Sequence, residues 1–162
     1  MRNTVKFFKT RDVKDPTRGT DKSAGIDFYI PEDYVPKTSS YSHDMGKMLI
    51  KPGEDILIPS GIKAKIPSGF ALIAFNKSGI TTKQGLSVGA CVVDEDYQGE
   101  IHIHLINHSN KSILAPSPGM KVIQFILVPT IYANIEFSDS ELELFEEKTQ
   151  RGEGGFGSTG IC

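Results

Sequence analysis

The sequence lacks tryptophan, has only two cysteines and contains no long apolar run. Its most apolar stretch, residues 122–128, is seven residues long, whereas a transmembrane helix needs about 20. Cys91 and Cys162 are too few for a disulfide framework, so we expect a reducing compartment: the cytoplasm, or the host-cell interior if the gene is viral. Residues 1–11 lack an apolar signal core, which argues against secretion. No membrane association is expected.

Charge of one sign is also missing. The 18 basic side chains nearly balance the 20 acidic ones, giving a formal net charge of -2 and a pI of about 6.1. This balance argues against a broad nucleic-acid-binding surface, although it allows one small anion to bind. The length of 162 residues with 38% hydrophobic residues favours one ordinary globular domain.

Glycine and proline, 16 and 9 residues, punctuate the chain between short apolar runs rich in Ile, Val and Phe. Runs of four to eight residues bounded by turn formers predict an all-β sandwich or barrel. Residues 62–66 and 101–105 alternate apolar with polar, which is typical of strands with one wet face. No window sustains helical periodicity over three turns. Residues 141–147 are compatible with one or two helical turns or with an acidic strand end.

Two segments differ from this pattern. Residues 36–46 are polar and turn-rich, which predicts a surface loop within a β domain spanning residues 1–145. Residues 146–162 form a glycine-rich tail that is expected to be flexible or to order only over a ligand, because glycine loses the most backbone entropy on ordering. The tail carries a cation, an aromatic ring and two hydroxyls that suit a nucleotide: Arg151, Phe156, Ser158 and Thr159.

Two polar clusters follow apolar runs. Lys77, Ser78 and Gly79 offer donors to a phosphate, or make an ordinary turn with a solvated lysine. Residues 89–99 read as a β-hairpin with Asp94 at the end of its first strand. The Asp94 carboxylate would orient or deprotonate water, or bond its own turn. Tyr97 is either a hydrophobic staple of the hairpin or a platform for a sugar, and Glu95 and Asp96 are expected to be solvated.

Other candidates are ambiguous from sequence. Asp27 lies inside an apolar run, so it needs a partner, either a magnesium-bound water or a neighbouring strand's hydrogen bond or ion pair. Histidines 102, 104 and 108 are compatible with a metal site, but no acid or cysteine has a fitting spacing, and a solvent-facing or interface row is favoured. Cys91 is expected to be a buried, inert thiol.

Five segments together resemble, in order, the five motifs of the trimeric dUTPase family: residues 24–27 (AGID), 77–79 (KSG), 89–99 (GACVVDEDYQG), 119–124 (GMKVIQ) and 151–160 (RGEGGFGSTG). The resemblance implies a jelly-roll-like distorted barrel or sandwich that forms a homotrimer. It also implies active sites between subunits, each closed by a swapped glycine-rich C-terminal tail.

The resemblance further implies hydrolysis of dUTP to dUMP and pyrophosphate, which limits uracil in DNA and supplies dUMP for dTMP synthesis. Asp94 would activate water for attack on the α-phosphorus, and Tyr97 would stack on the deoxyribose. Magnesium would be held chiefly by the phosphates, with Asp27 contacting its waters. The uracil edge would meet the hairpin at Cys91, Val92, Val93 and His102. The triphosphate would contact Lys77, Ser78, Gly79, Gln124, Arg151, Ser158 and Thr159, with Phe156 and Gly157 over the uracil.

Departures from the family pattern leave alternatives. Lys77 replaces an arginine, Cys91 a common glycine, and Met120-Lys121 the usual Asp-Arg pair, which makes this segment more like that of dCTP deaminases. Deaminases of this fold have a glutamate where this chain has His104, and they lack such a tail, which argues against deamination. A nucleotide-gated protein that binds a protein partner through residues 36–46 or 136–147 is a third reading. A purely structural jelly-roll subunit is the fourth.

Overall fold

The computed structural model describes residues 3–37, 40–42, 47–145 and 147–155. Two compact units divide the chain, Met1–Ile131 and Tyr132–Cys162. The second unit begins before residue 146, where the sequence analysis starts the tail; flexibility of that tail stays a prediction. Among the described residues no helix is long and apolar enough to span a bilayer.

Strands far outnumber helices among the described residues, which confirms the all-β prediction. The strands are β1 (Lys6–Lys9), β2 (Ile26–Tyr29), β3 (Ser40–Ser42), β4 (Lys47–Ile50), β5 (Asp55–Pro59), β6 (Ile62–Lys65), β7 (Phe70–Asn76), β8 (Leu86–Val88), β9 (Val92–Val93), β10 (His102–Asn107), β11 (Ile113–Leu114) and β12 (Lys121–Pro129). Two short helices accompany them, α1 (Ser78–Gln84) and α2 (Glu141–Leu144).

Antiparallel pairing arranges these strands in four small sheets, with the orders β1-β6, β5-β10-β8, β11-β4-β3 and β2-β12-β7-β9. The nine-residue β12 is the longest strand and pairs with β2 on one side and β7 on the other. Within this sheet, Gln124 lies opposite Asp27 of β2 and opposite Phe75 of β7. The end of β7 and the middle of β2 are therefore brought to the same level of the sheet.

The core is built from the alternating apolar positions. In β10 the buried residues are Ile103, Leu105 and Asn107, while His102 and His104 alternate with them. Phe28 and Phe125 contact each other across β2 and β12 with ring centroids 4.5 Å apart, and Phe7 meets Phe28 edge-on at 5.7 Å. Aromatic pairs of this kind bury much apolar area. They join β1 to the β2-β12 layer.

Helix α1 was not predicted, because its sequence SGITTKQ has no apolar face and buries none of its residues. The helix ends at Gly85, which adopts the left-handed conformation at φ 71° and donates its N–H to the Thr81 carbonyl. Helix α2 resolves the ambiguity over residues 141–147 in favour of one helical turn. Its N-cap, Ser140, accepts a hydrogen bond from the Glu143 N–H.

Part of the predicted surface loop at residues 36–46 is a strand. Backbone pairing joins β3 to β4, with Ser40 opposite Leu49 and Ser42 opposite Lys47. Residues 38, 39 and 43–46 lie outside the described residues. Binding of a protein partner by this segment stays a prediction.

Asn107 is a fully buried polar residue whose side chain joins the end of β4 to the loop between β10 and β11. Its Nδ2 donates to the carbonyls of Ile50 and Lys111, both at 2.9 Å. Its Oδ1 accepts from the Ser109 N–H at 2.9 Å and from the Ser109 hydroxyl at 2.7 Å. Since every polar atom of the amide is used, its removal leaves several buried groups without partners.

We predict that Asn107→Ala lowers the free energy of unfolding by about 1–3 kcal/mol, because the Ile50 carbonyl loses its donor in the interior. Urea denaturation at fixed protein concentration measures the change. Asn110→Ala, at an exposed position of the same loop, is the matched control and should leave the midpoint nearly unchanged. Equal denaturation midpoints for the two variants would contradict the stabilising role of the Asn107 hydrogen bonds.

Candidate active site

A cavity of about 200 Å³ lies against residues 89–99. These residues are not two paired strands, as predicted: their one strand, β9, pairs with β7. They lie in the loop between β8 and β10, which pair with each other, and this loop is called the hairpin below. Pockets that enclose whole drug-sized ligands measure about 300–1,000 Å³, so this one is sized for part of a ligand. The structure brings together the hairpin residues that the sequence singled out. The lining comprises Ala90, Cys91, Val92, Val93, Asp94, Tyr97, Ile101, His102 and Phe125.

Asp94 lies at the rim of this cavity with an exposed side chain. The turn is closed by the backbone, with the Tyr97 N–H donating to the Asp94 carbonyl at 3.2 Å. Within the described part of the chain, no hydrogen bond or ion pair occupies the Asp94 carboxylate. The alternative of a turn aspartate that bonds its own backbone is therefore not what the structure shows. The carboxylate is available to water.

Glu95, unlike Asp94, accepts hydrogen bonds from a neighbouring turn. Its carboxylate accepts from the Gly69 N–H at 2.6 Å and from the Ser68 hydroxyl at 3.3 Å. The expectation that Glu95 is merely solvated was wrong, because the turn before β7 lies against the hairpin and supplies donors. Neighbouring carboxylates in the same turn thus have different tasks.

The ring of Tyr97 is held at a fixed angle. Its hydroxyl donates to the Glu100 carbonyl at 3.0 Å, and the ring covers Gly99 so closely that a Cβ there would lie 2.3 Å from the Tyr97 hydroxyl oxygen. Glu100 in turn accepts from the Gly61 N–H at 2.6 Å and pairs with Arg11, whose Nε lies 3.3 Å away. The ring is thus anchored and half-exposed, which is compatible with both the staple and the platform interpretation of Tyr97.

A second polar cluster lies at the end of β7. Asp27 is buried, with 5% of its surface exposed. Lys77 donates to its Oδ1 and Lys121 to its Oδ2, the latter at 3.0 Å. Asp27 therefore has the partners that its burial requires, and they are two lysines. Lys121 was missed as a site residue, although it lies within the 119–124 segment.

The two lysines set the charge state of this cluster. Burial raises the pKa of the Asp27 carboxyl, but hydrogen bonds from Lys77 and Lys121 and their charges lower it more, so its pKa lies below the usual 3.8. The hydrogen bond to Asp27 raises the pKa of Lys121. Three charged groups with a net charge of +1 therefore face one point, which favours an anion.

Gln124 connects this cluster to the sheet. Its Nε2 donates to the Asn76 carbonyl at 2.8 Å, and a Cβ on Gly25 would lie 2.0 Å from its Oε1. A side chain at position 25 would therefore displace the Gln124 amide. Ser78 and Gly79, at the start of α1, are exposed next to Lys77. The predicted phosphate-contacting residues of the second and fourth segments thus lie at the end of β7, at the start of α1 and on the adjacent strand β12.

The hairpin cavity and the lysine cluster lie at different levels of the same sheet. On β7, Ile73 and Leu72 pair with Val92 and Val93, so the antiparallel β9 runs away from Lys77. Asp94 therefore lies level with Ala71, six residues and about 20 Å of extended strand from Lys77. One chain does not bring Asp94 and Lys77 onto a single phosphate.

The tail unit is described as far as Gly155. Arg151 donates from its Nε to the Gly154 carbonyl at 2.8 Å, and the Gly154 N–H donates to the Arg151 carbonyl at 3.0 Å. A local turn therefore forms around Arg151. The predicted ligand contacts Phe156, Gly157, Ser158 and Thr159 lie outside the described residues.

The predicted contact of Asp27 with magnesium stays a prediction. The described residues contain no cluster of three or more His, Cys, Asp or Glu side chains able to hold a metal. Mg²⁺ commonly keeps several waters and binds through one or two carboxylates plus substrate phosphates. In the structure, lysine ammonium groups hold both oxygens of the Asp27 carboxylate.

Proteins similar to this chain identify its family. The dUTPase family model matches residues 11–160. A deoxyuridine 5'-triphosphate nucleotidohydrolase from Clostridium tetani is 35% identical over 96% of this chain and 94% of its own length. The Candida albicans enzyme of the same name is 36% identical over 95% and 86%. The chain belongs to the dUTPase family.

Solved dUTPase structures share the fold. A mutant dUTPase of Staphylococcus bacteriophage 80alpha, solved with dUpNHpp, has a TM-score of 0.76 at 20% identity and covers 99% of this chain and 100% of its own. A mutant dUTPase of phage phi11 of S. aureus, described with a structural Mg(II) ion, has a TM-score of 0.66 at 17% identity over 86% and 99%. This similarity confirms the predicted dUTPase-like β fold.

We predict that Asp27 contributes to acid stability. Because its pKa is lowered in the folded protein, its stabilisation is complete above the unfolded value of about 3.8 and is lost as the pH falls through the folded value. The difference in unfolding free energy between wild type and Asp27→Asn should therefore shrink below pH 4. Denaturant titrations between pH 3 and 7 measure it, with the exposed Asp21→Asn as control. A difference in unfolding free energy that does not change with pH would contradict the stabilisation of ionised Asp27 by Lys77 and Lys121.

Proposed function

We propose that this protein hydrolyses dUTP to dUMP and pyrophosphate. The observation that carries the proposal is Asp94, a carboxylate without a protein partner in the described chain, at the rim of a cavity built from the family's hairpin. Family membership supports the substrate, since relatives similar over most of their length bear the name deoxyuridine 5'-triphosphate nucleotidohydrolase.

The reaction follows from the carboxylate's position. Asp94 orients a water molecule and accepts its proton while the water oxygen bonds to the α-phosphorus. The bond from the α-phosphorus to the oxygen bridging it to the β-phosphate breaks, and pyrophosphate leaves with the electron pair. Charge develops on the phosphate oxygens during this step, so donors fixed around them lower the barrier.

The hairpin selects the base and the sugar. Backbone groups near Cys91 and His102 pair with the edge of uracil, and cytosine presents the opposite donor and acceptor pattern. A mismatched hydrogen-bonding edge costs about 10⁴–10⁵-fold in selectivity, whereas a pocket discriminates one methyl group by only about 10–200-fold. The anchored ring of Tyr97 stacks on the deoxyribose and leaves no room for a 2′-hydroxyl.

The lysine cluster receives the triphosphate. Lys77, Ser78, Gly79 and Gln124 donate to phosphate oxygens at the exposed end of β7 and the start of α1. Asp27 would accept a hydrogen bond from a water on Mg²⁺, and the metal, when bound, would neutralise phosphate charge. A lysine at position 77 supplies charge without the two-pronged grip of arginine. In the tail, Arg151, Ser158 and Thr159 reach the γ-phosphate, while Phe156 and Gly157 cover the uracil.

In a homotrimer with shared sites, the hairpin cavity of one subunit and the lysine cluster of another can bind the same substrate. Asp94 and Lys77 lie about 20 Å apart along one chain, so Asp94 of one subunit and Lys77 of another act on the same substrate. The segment after β12 also exposes large apolar side chains that a second copy would cover. They are Ile135, Phe137, Leu142, Leu144 and Phe145. The swapped C-terminal tail completes this arrangement.

In the cell, this reaction limits incorporation of uracil into DNA and supplies dUMP for dTMP synthesis. The proposal includes a reducing interior compartment and no direct contact with nucleic acid or membrane.

Pyrophosphate release with Mg²⁺ tests the proposal, with dUTP, dTTP, dCTP and UTP compared under identical conditions. We expect release from dUTP at least about 100-fold faster than from the other three nucleotides. Equal rates on dUTP and UTP would contradict the role of Tyr97. No release from dUTP by a folded trimer would reject the proposed activity.

Asp94→Asn should lower kcat for dUTP by about 10²–10⁴-fold, because the amide does not accept the proton from water. The affinity for dUpNHpp, measured by calorimetry, should stay close to that of wild type. Asp96→Asn, two residues on in the same turn, is the matched control and should keep full turnover. Wild-type kcat in Asp94→Asn would remove this residue from the mechanism.

Mixed trimers test the sharing of sites. We predict that Asp94→Asn and Lys77→Met, each inactive alone, recover about a quarter of the wild-type site density when unfolded together at equal amounts and refolded, because random assembly pairs an intact Asp94 with an intact Lys77 at that frequency. Pyrophosphate release from dUTP measures recovery. Refolding each variant alone is the control. No recovery in the mixture would mean that both residues act from one chain.

A further inference from the structure

His104, which the proposed mechanism does not use, connects the base cavity to β5. The Ala90 N–H donates to its Nδ1 at 2.9 Å, and its Nε2 lies 2.9 Å from Oδ2 of Asp55. Its side chain is 24% exposed. Gly89 fits against the ring, since a Cβ there would lie 2.2 Å from Nδ1. His104 is therefore held by contacts within its own chain and is not simply solvent-facing, while an interface role of the histidine row stays a prediction.

These two contacts define the tautomer of the ring. A backbone N–H only donates, so Nδ1 of His104 is the acceptor and carries no proton. The proton of the neutral imidazole then resides on Nε2, where it is donated to the Asp55 carboxylate. An aliphatic side chain at position 104 would leave the Ala90 N–H without this acceptor.

The contact holds one particular peptide of the cavity wall. Next to Ala90, the Cys91 carbonyl accepts from the Ala74 N–H of β7 at 2.7 Å. The peptide between Ala90 and Cys91 is thus fixed on both sides, from β10 and from β7. Among the described residues, no hydrogen bond uses its own Ala90 carbonyl or Cys91 N–H. Both residues line the cavity.

We infer that His104 is a positioning residue for base selection, which fixes the Ala90–Cys91 peptide so that its unused N–H and carbonyl meet the edge of the nucleobase. The inference rests on the proposed function for the identity of the base. His104 itself does not touch the substrate; it acts through the backbone of Ala90, and Asp55 holds its ring.

The test compares His104→Leu, which removes the acceptor, with His104→Gln, which retains an acceptor and a donor. His108→Leu, at an exposed position beyond the end of β10, is the matched control. We expect His104→Leu to raise KM for dUTP about tenfold and to lower the dUTP-to-dCTP preference by a similar factor, with kcat changed less. His104→Gln should recover much of both values, and His108→Leu should match wild type.

A second readout does not require turnover. Hydrogen exchange of the peptide containing Ala90, measured in ligand-free protein, should accelerate in His104→Leu and stay slow in His104→Gln. If wild type releases no pyrophosphate, the proposed function fails while the exchange result still decides whether His104 anchors the wall. Unchanged exchange and unchanged preference in His104→Leu would overturn the inference. A fall in melting temperature together with an equal loss of activity on all nucleotides would also overturn it, because this result would indicate that His104 only stabilises the fold.

Discussion

The pairing of β12 with both β2 and β7 is the constraint on which the remaining structure depends. It sets Gln124 level with Asp27 on one side and beside Asn76 on the other. Side chains alternate across a sheet, so a slip of one residue would move every one of them to the opposite face. The buried Phe125 in the same strand resists such a slip, because its ring would leave the core.

The second constraint is the division of labour among the carboxylates around the hairpin. Glu95 and Glu100 satisfy backbone N–H groups of neighbouring turns, those of Gly69 and Gly61. These bonds hold the hairpin in place without any contribution from the Asp94 carboxylate. A reactive group that also closed the turn would have to break a stabilising bond in order to act. Separating the two tasks among nearby acids avoids that conflict.

The sequence predicted the strands well, because alternation in residues 62–66 and 101–105 is a local signal. It also predicted that Asp27 needs partners, since a carboxylate in an apolar run is costly alone. It did not reveal that the partners are Lys77 and Lys121, which are distant along the chain and meet only through the register of three strands. Helix α1 was missed because its sequence has no apolar face and none of its residues is fully buried. The roles of Glu95 and His104 were missed because their partners lie on other segments of the chain.

The lysine cluster also makes the three residues unequal under mutation. Loss of either lysine leaves Asp27 with one cation, so the burial of the carboxylate is still compensated. Loss of Asp27 leaves two ammonium groups facing each other with no anion between them. Sequence drift can therefore exchange the cations one at a time, as lysine or arginine, while the acid stays in place. Asp27 is the one anion between two cations, so over evolutionary time either lysine can be replaced before the aspartate can.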